Sequence, residues 1–207
     1  MKKQKVSSAV IRRLPRYYRH LNDLYQAGVE RVSSNALGAS LGLTASQIRQ
    51  DLSCFGEFGQ QGYGYNVASL RGEVADILGI HRGHTAVILG VGNLGRALLE
   101  NFHFGRYGVT LTAAFDVAPD VVGRTISGVQ VHHVDEMEAC LARRPASIGV
   151  LTVPRSAAPA IAERLARSGV KGIWNFTNIE LTVSVPGVVI EDVHFADSLL
   201  TLSYRIT

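Results

Sequence analysis

The sequence predicts an α/β protein in which an N-terminal winged-helix domain precedes a Rossmann-type doubly wound parallel sheet. Before about residue 80, apolar residues recur at helical spacing, whereas after His84 short apolar strands alternate with helices. A Gly-x-Gly-x-x-Gly loop joins the first strand and the first helix of this alternating part. We therefore divide the chain into a winged-helix domain (1–80), a Rossmann-type domain (81–192) and a C-terminal helix (193–207).

Composition limits the classes to which the protein can belong. Of the 207 residues, 46% are hydrophobic and 18% are charged, as in an ordinary folded protein. The basic start has no apolar segment behind it, and no apolar run approaches the roughly 20 residues of a membrane span. We expect a soluble cytoplasmic protein without a membrane partner. Cys54 and Cys140 lack metal-ligand spacing, so we expect no metal and two reduced thiols, with a redox disulfide as the alternative.

The excess positive charge of the chain lies entirely in its first part. Residues 1–80 contain ten Lys or Arg and six Asp or Glu, whereas residues 81–207 contain eleven of each. Seven basic residues and no acidic residue fall within the first twenty. This segregation favours a polyanion as the partner of the N-terminal domain. A merely solvated basic face is the alternative.

Helical periodicity begins near the N-terminus. Apolar side chains recur at helical spacing from Val10 to Tyr25. Pro15 is expected to kink or restart this helix, because it lacks the backbone N–H and crowds the preceding turn. A short second helix is predicted over Asn35–Leu41, with Gly42 as its terminator.

A third helix and a glycine-rich segment complete the first domain. Thr44 and Gln47 form the Thr-x-x-Gln pattern of a capping box, and the apolar face that follows contains Ile48, Leu52 and Phe55. The segment GEFGQQGYGYNV is predicted to form a hairpin of short strands, after which Asn66 caps a connecting helix.

Helix, short turn, helix and hairpin is the order of a winged helix. In that fold the second helix of the turn motif enters the major groove and the wing contacts the backbone or minor groove. The predicted base-reading residues are Ser46, Gln47, Arg49 and Gln50, because Arg pairs with guanine and Gln with adenine. The predicted phosphate contacts are Lys2, Lys3, Lys5, Arg12, Arg13 and Arg16, and the predicted wing contacts are Gln61 and Tyr63. A helical protein-interaction module is the alternative interpretation.

The glycine loop predicts a dinucleotide site. Gly90 permits a tight turn, Gly92 lets the backbone approach a pyrophosphate, and Gly95 lets helix and strand pack closely. Asp116 ends the next strand, where it would bind the adenosine ribose and favour NAD over NADP. The predicted NADH/NAD+ contacts are Gly90, Val91, Gly92, Asn93, Leu94, Gly95, Asp116, Thr152, Val153, Pro154 and Phe176. A loop whose glycines serve only packing is the alternative.

The chain offers little with which to perform hydride transfer. The nucleotide fold runs from about 82 to about 190 and leaves only a terminal helix to supply a substrate wall and a catalytic acid or base. His103, His132 and His133 are interpreted as surface or structural histidines. We expect a protein that is not an enzyme, although a small NAD-linked oxidoreductase is the competing class.

The assembled segments resemble the Rex family of bacterial redox-sensing repressors over nearly the whole chain. The resemblance is carried by IRRLPRYYRHL, ERVSS, SQIRQDLSCFGEFGQQGYGYNV, ILGVGNLGRAL, AFDVAPDVVGR, LTVPR, GIWNF and LSY. It implies a homodimer that exchanges its C-terminal helix, and operator DNA as the partner. It also implies repression of fermentation and respiration genes when NAD+ prevails, with NADH releasing the operator.

The chain departs from the family pattern at four positions. Gln50 and Gln61 stand where members usually carry basic residues, which predicts a retuned or weakened contact with DNA. The family's switch arginine is matched by Arg19, but His194 replaces its aspartate. Its tyrosine position falls at Asn101, beside Phe102. The alternative function is therefore a NAD(H)-binding paralogue with weaker DNA binding or an altered redox response.

Overall fold

The computed structural model describes residues 6–56, 58–59 and 63–206. It divides into two compact units, the first ending at Arg82 and the second beginning at Gly83. The first unit contains α1 (Ser8–Gln26), β1 (Arg31–Val32), α2 (Ser34–Leu41), α3 (Ala45–Ser53), β2 (Tyr65–Asn66) and α4 (Val67–Leu78). A 3₁₀ turn over Ile80–Arg82 ends this unit.

The first helix is longer and less interrupted than its sequence predicts. Ser7 caps α1, which buries Val10, Leu14, Tyr17 and Leu21 along one face. Pro15 lies inside this single helix, so the predicted restart is wrong. Pro15 is on the exposed face, where water can satisfy the carbonyl that the missing N–H leaves free.

The next two helices are joined by a tight turn. Gly42, with φ of +68°, ends α2, and Thr44 caps α3 by accepting a hydrogen bond from the Gln47 backbone N–H at 3.1 Å. Only this half of the predicted capping box forms, because the Gln47 side chain donates to Asp51 instead. Ile48 and Leu52 are buried as predicted, and Phe55 is half-buried.

The glycine-rich segment finds its strand partner elsewhere in the chain. Within the described residues, β2 pairs antiparallel with β1, matching Arg31 with Asn66 and Val32 with Tyr65. At Gly64, whose φ is +70°, a Cβ would lie 2.6 Å from the Val32 carbonyl oxygen. The backbones therefore approach too closely there for a side chain. The predicted hairpin falls partly on 57 and 60–62, outside the described residues.

The second unit is built on a seven-stranded sheet. Its elements are β3 (His84–Leu89), α5 (Asn93–Asn101), β4 (Val109–Asp116), β5 (Thr125–Ile126), β6 (Val129–His133), α6 (Met137–Arg143), β7 (Ile148–Leu151), α7 (Ala158–Arg167), β8 (Gly172–Asn175), β9 (Val189–Asp192) and α8 (Phe195–Arg205). The strand order is β5-β6-β4-β3-β7-β8-β9. Without β5 this is the Rossmann order 3-2-1-4-5-6.

The sheet is mixed rather than wholly parallel, which corrects the prediction. All pairings are parallel except that β5 runs antiparallel to β6 at one edge. The central strands are buried on both faces: Val87 and Leu89 belong to one core cluster and Ile88 to the other. The parts of a strand that are covered on both sides are mainly apolar, and the apolar runs at the ends of β3 (Ala86–Leu89) and β4 (Ala113–Phe115) make these strands readable from the sequence.

The C-terminal helix has an unpartnered surface in the single chain. None of the described residues of α8 is buried. Leu199 and Leu200 are each 66% exposed. Elsewhere, no helix among the described residues is both long and apolar enough to cross a bilayer.

Candidate nucleotide and DNA-binding sites

The glycine loop turns sharply where β3 ends. Gly90 has φ of +93°, and its N–H donates to the Phe115 carbonyl at 2.8 Å. A Cβ at Gly90 would lie 2.8 Å from the Thr152 carbonyl oxygen. The ends of β3 and β7 are therefore so close that only glycine fits, and the turn delivers the chain directly into α5.

Gly92 and Gly95 serve different purposes at the start of α5. A Cβ at Gly95 would lie 1.9 Å from the Gly90 carbonyl oxygen, so the helix packs directly on the loop. A Cβ at Gly92 would meet nothing within 4 Å. Gly92 also occupies the N-cap position without any side-chain hydrogen bond to the first turn. The positive end of the α5 dipole is therefore left open to an anion.

The side chains of Thr152 and Asp116 both form hydrogen bonds with the backbone of the glycine loop. The Thr152 hydroxyl contacts the Leu89 carbonyl at 3.0 Å and donates to the Gly90 carbonyl at 2.7 Å. The Asp116 carboxylate accepts hydrogen bonds from three backbone N–H groups, those of Val91, Val117 and Ala118. A carboxylate has about four acceptor positions, so Asp116 retains one for a ribose hydroxyl.

These residues meet at the point where the strand order reverses. Gly90 follows β3, Thr152 follows β7, and the two strands are neighbours in the sheet. Ligands of doubly wound folds bind outside the carboxyl ends of the strands at this switch point. Val153 packs against the core, and Phe176 follows β8 with its N–H donating to the Leu151 carbonyl at 2.9 Å.

A buried polar side chain fixes the loop after β8. Asn175 is 1% exposed, donates to the Ile179 carbonyl and to Asp192, each at 2.7 Å, and accepts from Thr177. Asn175 is not among the site residues predicted from the sequence. One feature of the sequence could have identified it. Asn175 ends the apolar strand GIWN, and an amide that is buried in such a strand needs hydrogen-bond partners.

Aromatic rings form a continuous row along one side of the second unit. The ring centroids of Phe102 and Trp174 are 5.5 Å apart, those of Trp174 and Phe176 are 4.6 Å apart, and those of Phe176 and Phe195 are 6.1 Å apart. Tyr107 stacks on Phe102 at 5.3 Å. The row links the end of α5, strand β8 and the first residue of α8.

The predicted switch residues differ in their surroundings. Phe102 belongs to the aromatic row, whereas Asn101 is exposed and donates to the Ala97 carbonyl of its own helix. His194 occupies the N-cap position of α8 without a side-chain hydrogen bond to that helix. Arg19 is exposed on α1.

Most of the predicted DNA contacts are exposed on the first unit. Arg12, Arg16, Ser46, Arg49 and Gln50 all have exposed side chains. Arg49 contacts the Ser34 hydroxyl at 3.0 Å, and Arg16 donates to the Leu41 carbonyl at 2.7 Å.

The two predicted wing residues have different outcomes. Tyr63 is 71% exposed, and the Arg31 guanidinium lies 6.0 Å from its ring centroid. Gln61 lies outside the described residues. The predicted phosphate contacts Lys2, Lys3 and Lys5 lie outside them as well.

Two predicted DNA contacts point inward instead. Arg13 forms an ion pair with Asp51, which is fully buried, and Gln47 donates to the same carboxylate at 2.7 Å. Tyr17 completes the group with a hydrogen bond of 2.5 Å to Asp51. The sequence signal was an acidic residue three positions after Ile48, on the apolar face of α3.

The charges of this cluster are mutually stabilised. Burial raises the pKa of Asp51, but the hydrogen bonds from Arg13, Tyr17 and Gln47 outweigh it and hold that pKa below its ordinary value. The hydrogen bond to Asp51 raises the pKa of Arg13. Burial, followed by the hydrogen bond to Asp51, raises the pKa of Tyr17. The carboxylate is therefore ionised at neutral pH.

Comparison with known proteins extends over both units. Residues 81–179 match the model of the CoA binding domain, and residues 5–53 match that of the putative DNA-binding protein N-terminus. The chain is 47% identical over 205 residues to the redox-sensing transcriptional repressor Rex of Clostridium beijerinckii, covering 99% of this chain and 97% of that protein. Identity to Rex of Thermoanaerobacter pseudethanolicus is also 47%, over 99% of this chain and 91% of the relative. The chain belongs to the Rex family.

Solved structures of this family are similar over almost the whole chain. The crystal structure of RSP in complex with β-NAD+ and operator DNA has a TM-score of 0.92 and 47% identity, covering 98% of this chain and 93% of that one. RSP in complex with β-NADH has a TM-score of 0.91 and 44% identity, covering 98% and 95%. As a member of a family of transcriptional repressors, the protein is not an enzyme, which confirms the prediction.

Proposed function

We propose that the protein represses transcription by binding operator DNA through its first unit, and that NADH bound to the second unit releases the operator. The observation that carries this proposal is the cradle made by Gly90, Gly92, Gly95, Thr152 and Asp116 at the switch point of the sheet. It occurs in a chain whose relative RSP has been crystallised with β-NAD+ and operator DNA, and with β-NADH. The proposed site of action is the bacterial cytoplasm, where the DNA lies.

The nucleotide would be held at both ends of the cradle. Its pyrophosphate would face the open backbone at Gly92 and the first turn of α5, where free N–H groups and the helix dipole favour anions. The remaining acceptor position of Asp116 would bind the adenosine ribose, and its charge would disfavour a 2′-phosphate. Pro154 and Phe176, which follow β7 and β8, would line the nicotinamide end.

Discrimination between NADH and NAD+ would depend on the nicotinamide end of the site. The reduced ring is uncharged, whereas the oxidised ring is cationic, so apolar surroundings favour NADH. Only a difference in NADH affinity between two domain arrangements can release DNA. Asn101 and His194 stand where the family's switch tyrosine and aspartate are expected. A DNA affinity that does not change on addition of NADH would therefore indicate the alternative, a paralogue with an altered redox response.

The first unit would present α3 to the major groove. Ser46, Arg49 and Gln50 are exposed on the side of α3 opposite its buried face, and Arg49 is suited to guanine. Arg12 and Arg16 would contact phosphates, while Tyr63 and Gln61 would lie in the wing.

A second copy of the chain would cover α8. An eleven-residue helix is marginal in water unless its apolar face is buried. Leu199, Leu200 and Leu202 are 55–66% exposed, and burying each would contribute about 1.5–3 kcal/mol. We propose a homodimer in which the two C-terminal helices are exchanged, which would also pair two α3 helices on a palindromic operator.

Fluorescence anisotropy tests this function on a palindromic duplex that the protein selects from random-sequence DNA. The expected result is that the protein binds the duplex in a salt-sensitive manner. NADH should weaken this binding, whereas NAD+ at the same concentration should not. Absence of a salt-sensitive complex with or without nucleotide would contradict the repressor function. Sustained oxidation of NADH in the presence of carbonyl compounds would instead favour an oxidoreductase.

A further inference from the structure

We propose that Asp51 is the positioning residue of the recognition helix α3, and that Arg13 and Gln47 serve this buried carboxylate rather than contact DNA. This inference rests on the proposed function, because it assumes that α3 reads the operator. It reassigns two side chains that the sequence alone places at the DNA surface.

Four hydrogen bonds converge on the Asp51 carboxylate. Arg13 donates from Nε to Oδ2 at 2.6 Å and from Nη2 to Oδ1 at 2.8 Å. The Tyr17 hydroxyl donates to Oδ2 at 2.5 Å, and the Gln47 amide donates to Oδ1 at 2.7 Å. Four bonds fill the acceptor capacity of a carboxylate. Asp51 is 0% exposed, so it has no water contact that could substitute for a lost partner.

The cluster joins two helices with a defined orientation. Arg13 and Tyr17 are four residues apart on α1, and Gln47 and Asp51 are four residues apart on α3, so each pair lies on one helix face. Apolar contacts such as those of Ile48 and Leu52 tolerate sliding and rotation because they are non-directional. The two parallel bonds from one guanidinium to one carboxylate are directional. They therefore fix the rotation of α3 about its own axis.

That rotation determines where the reading side chains point. At about 100° per residue, Asp51 and Ile48 lie on one side of α3, and Ser46, Arg49 and Gln50 lie on the other. Turning the helix by about 20° moves a side chain on its surface by about 2 Å, given its radius of about 5–6 Å. Hydrogen bonds to base edges tolerate only a few tenths of an ångström. A small loss of orientation would therefore abolish base readout while leaving phosphate contacts largely in place.

Arg12 and Arg13 are adjacent basic residues with different surroundings. Arg12 is exposed and makes no side-chain hydrogen bond or ion pair to the described residues, as expected for a phosphate contact. Arg13 directs two of its nitrogen atoms at Asp51 and is only half-exposed. The pair provides a matched comparison, since Arg12→Gln and Arg13→Gln remove the same charge one residue apart.

Salt dependence separates a phosphate contact from a positioning role. Each phosphate contact contributes about 0.9 to the slope of log affinity against log salt concentration, hence about twice that for a dimer. Arg12→Gln is expected to flatten the slope by that amount and to weaken operator and scrambled duplexes equally. Arg13→Gln and Asp51→Asn are expected to leave the slope unchanged. Both should lower operator affinity at least tenfold but affinity for the scrambled duplex less than twofold.

Controls keep loss of folding and failure of the proposed function apart from failure of this inference. NADH binding, read from the emission of the single tryptophan Trp174, should be unchanged in every variant because the cluster lies in the first unit. If Asp51→Asn melts below the assay temperature, Tyr17→Phe removes one hydrogen bond to Asp51 while keeping the ring, and it should lower the operator-to-scrambled ratio in the same direction. Wild-type protein without salt-sensitive operator binding would contradict the proposed function itself.

Two results would overturn the inference while leaving the proposed function intact. One is a flatter slope and an unchanged operator-to-scrambled ratio in Arg13→Gln, which would make Arg13 a phosphate contact. The other is a folded Asp51→Asn or Tyr17→Phe variant with the wild-type ratio, which would make the cluster a source of stability alone.

Discussion

Replacing Gly95 with alanine tests the geometry of the nucleotide cradle most sharply. The added Cβ would lie 1.9 Å from the Gly90 carbonyl oxygen and 2.9 Å from the Thr152 hydroxyl. Ordinary contact begins at 3.4 Å, so the start of α5 must move by about 1.5 Å from the loop. Overpacking of this kind costs about 1–3 kcal/mol of unfolding free energy.

The displacement also predicts a loss of nucleotide affinity. A hydrogen bond of about 2.9 Å between a backbone N–H and a phosphate oxygen would be stretched beyond bonding range by a shift of about 1.5 Å. Hydrogen bonds to charged groups are worth about 1.5–3 kcal/mol each, so losing two costs about 3–6 kcal/mol. The expected decrease in NADH affinity for Gly95→Ala is therefore about 10²–10⁴-fold.

Thermal unfolding and NADH titration of three variants separate the two effects. Gly95→Ala should lose both stability and affinity. Gly92→Ala should keep the wild-type melting temperature, because its Cβ meets no protein atom within 4 Å, yet lose affinity by obstructing the pyrophosphate. Gly105→Ala, whose Cβ is equally free, is the control that should change neither. Wild-type NADH affinity in both Gly92→Ala and Gly95→Ala would refute the location of the site.

Three further predictions concern other parts of the chain. The pKa of Asp51 is lowered in the folded state, so its stabilisation is complete above the unfolded pKa and is lost as pH falls through the folded one. Asp51→Asn should then cost about 3 kcal/mol at pH 7 in urea unfolding, and a cost that does not diminish as the pH falls below the ordinary aspartate pKa of about 4 would contradict the linkage. Asn66→Ala should lower the unfolding free energy of the first unit by about 1 kcal/mol, because the Asn66 side chain accepts a hydrogen bond from the Ser69 N–H at 2.9 Å. The control variant Asn66→Asp should retain this cap and the wild-type unfolding free energy. The double variant Leu199→Glu, Leu202→Glu should be a monomer in sedimentation equilibrium. The control variant Thr201→Glu, on the same helix, should remain a dimer. If the double variant is also a dimer, α8 does not form the interface.

Local patterns made most of the fold predictable. Strand β4 (Val109–Asp116) is readable because it ends in the buried apolar run Ala113–Phe115, which is typical of a strand covered on both faces. No strand was predicted at β9, which lies at the edge of the sheet and alternates exposed and half-buried residues, so it has no continuous apolar run. The two-residue β5 is too short to carry a period.

Contacts between residues that are distant in the chain could not be predicted from the sequence. The partner of β2 is β1, more than thirty residues earlier, and nothing local distinguishes this pairing from a hairpin. Arg13 and Asp51 are 38 residues apart. A basic residue in an exposed cluster and one that neutralises a buried acid are indistinguishable until the two helices are packed together. The glycine loop was readable because its three glycines lie within one strand–turn–helix segment.

The affinity for NADH with and without saturating operator DNA tests the central claim most directly. If NADH releases the operator, thermodynamic linkage requires that the operator weaken NADH binding by the same factor. The proposed function predicts a lower NADH affinity in the presence of operator, no such change for NAD+, and no effect of a scrambled duplex. Equal NADH affinity in the free and operator-bound protein would contradict the claim that this chain couples redox state to DNA binding.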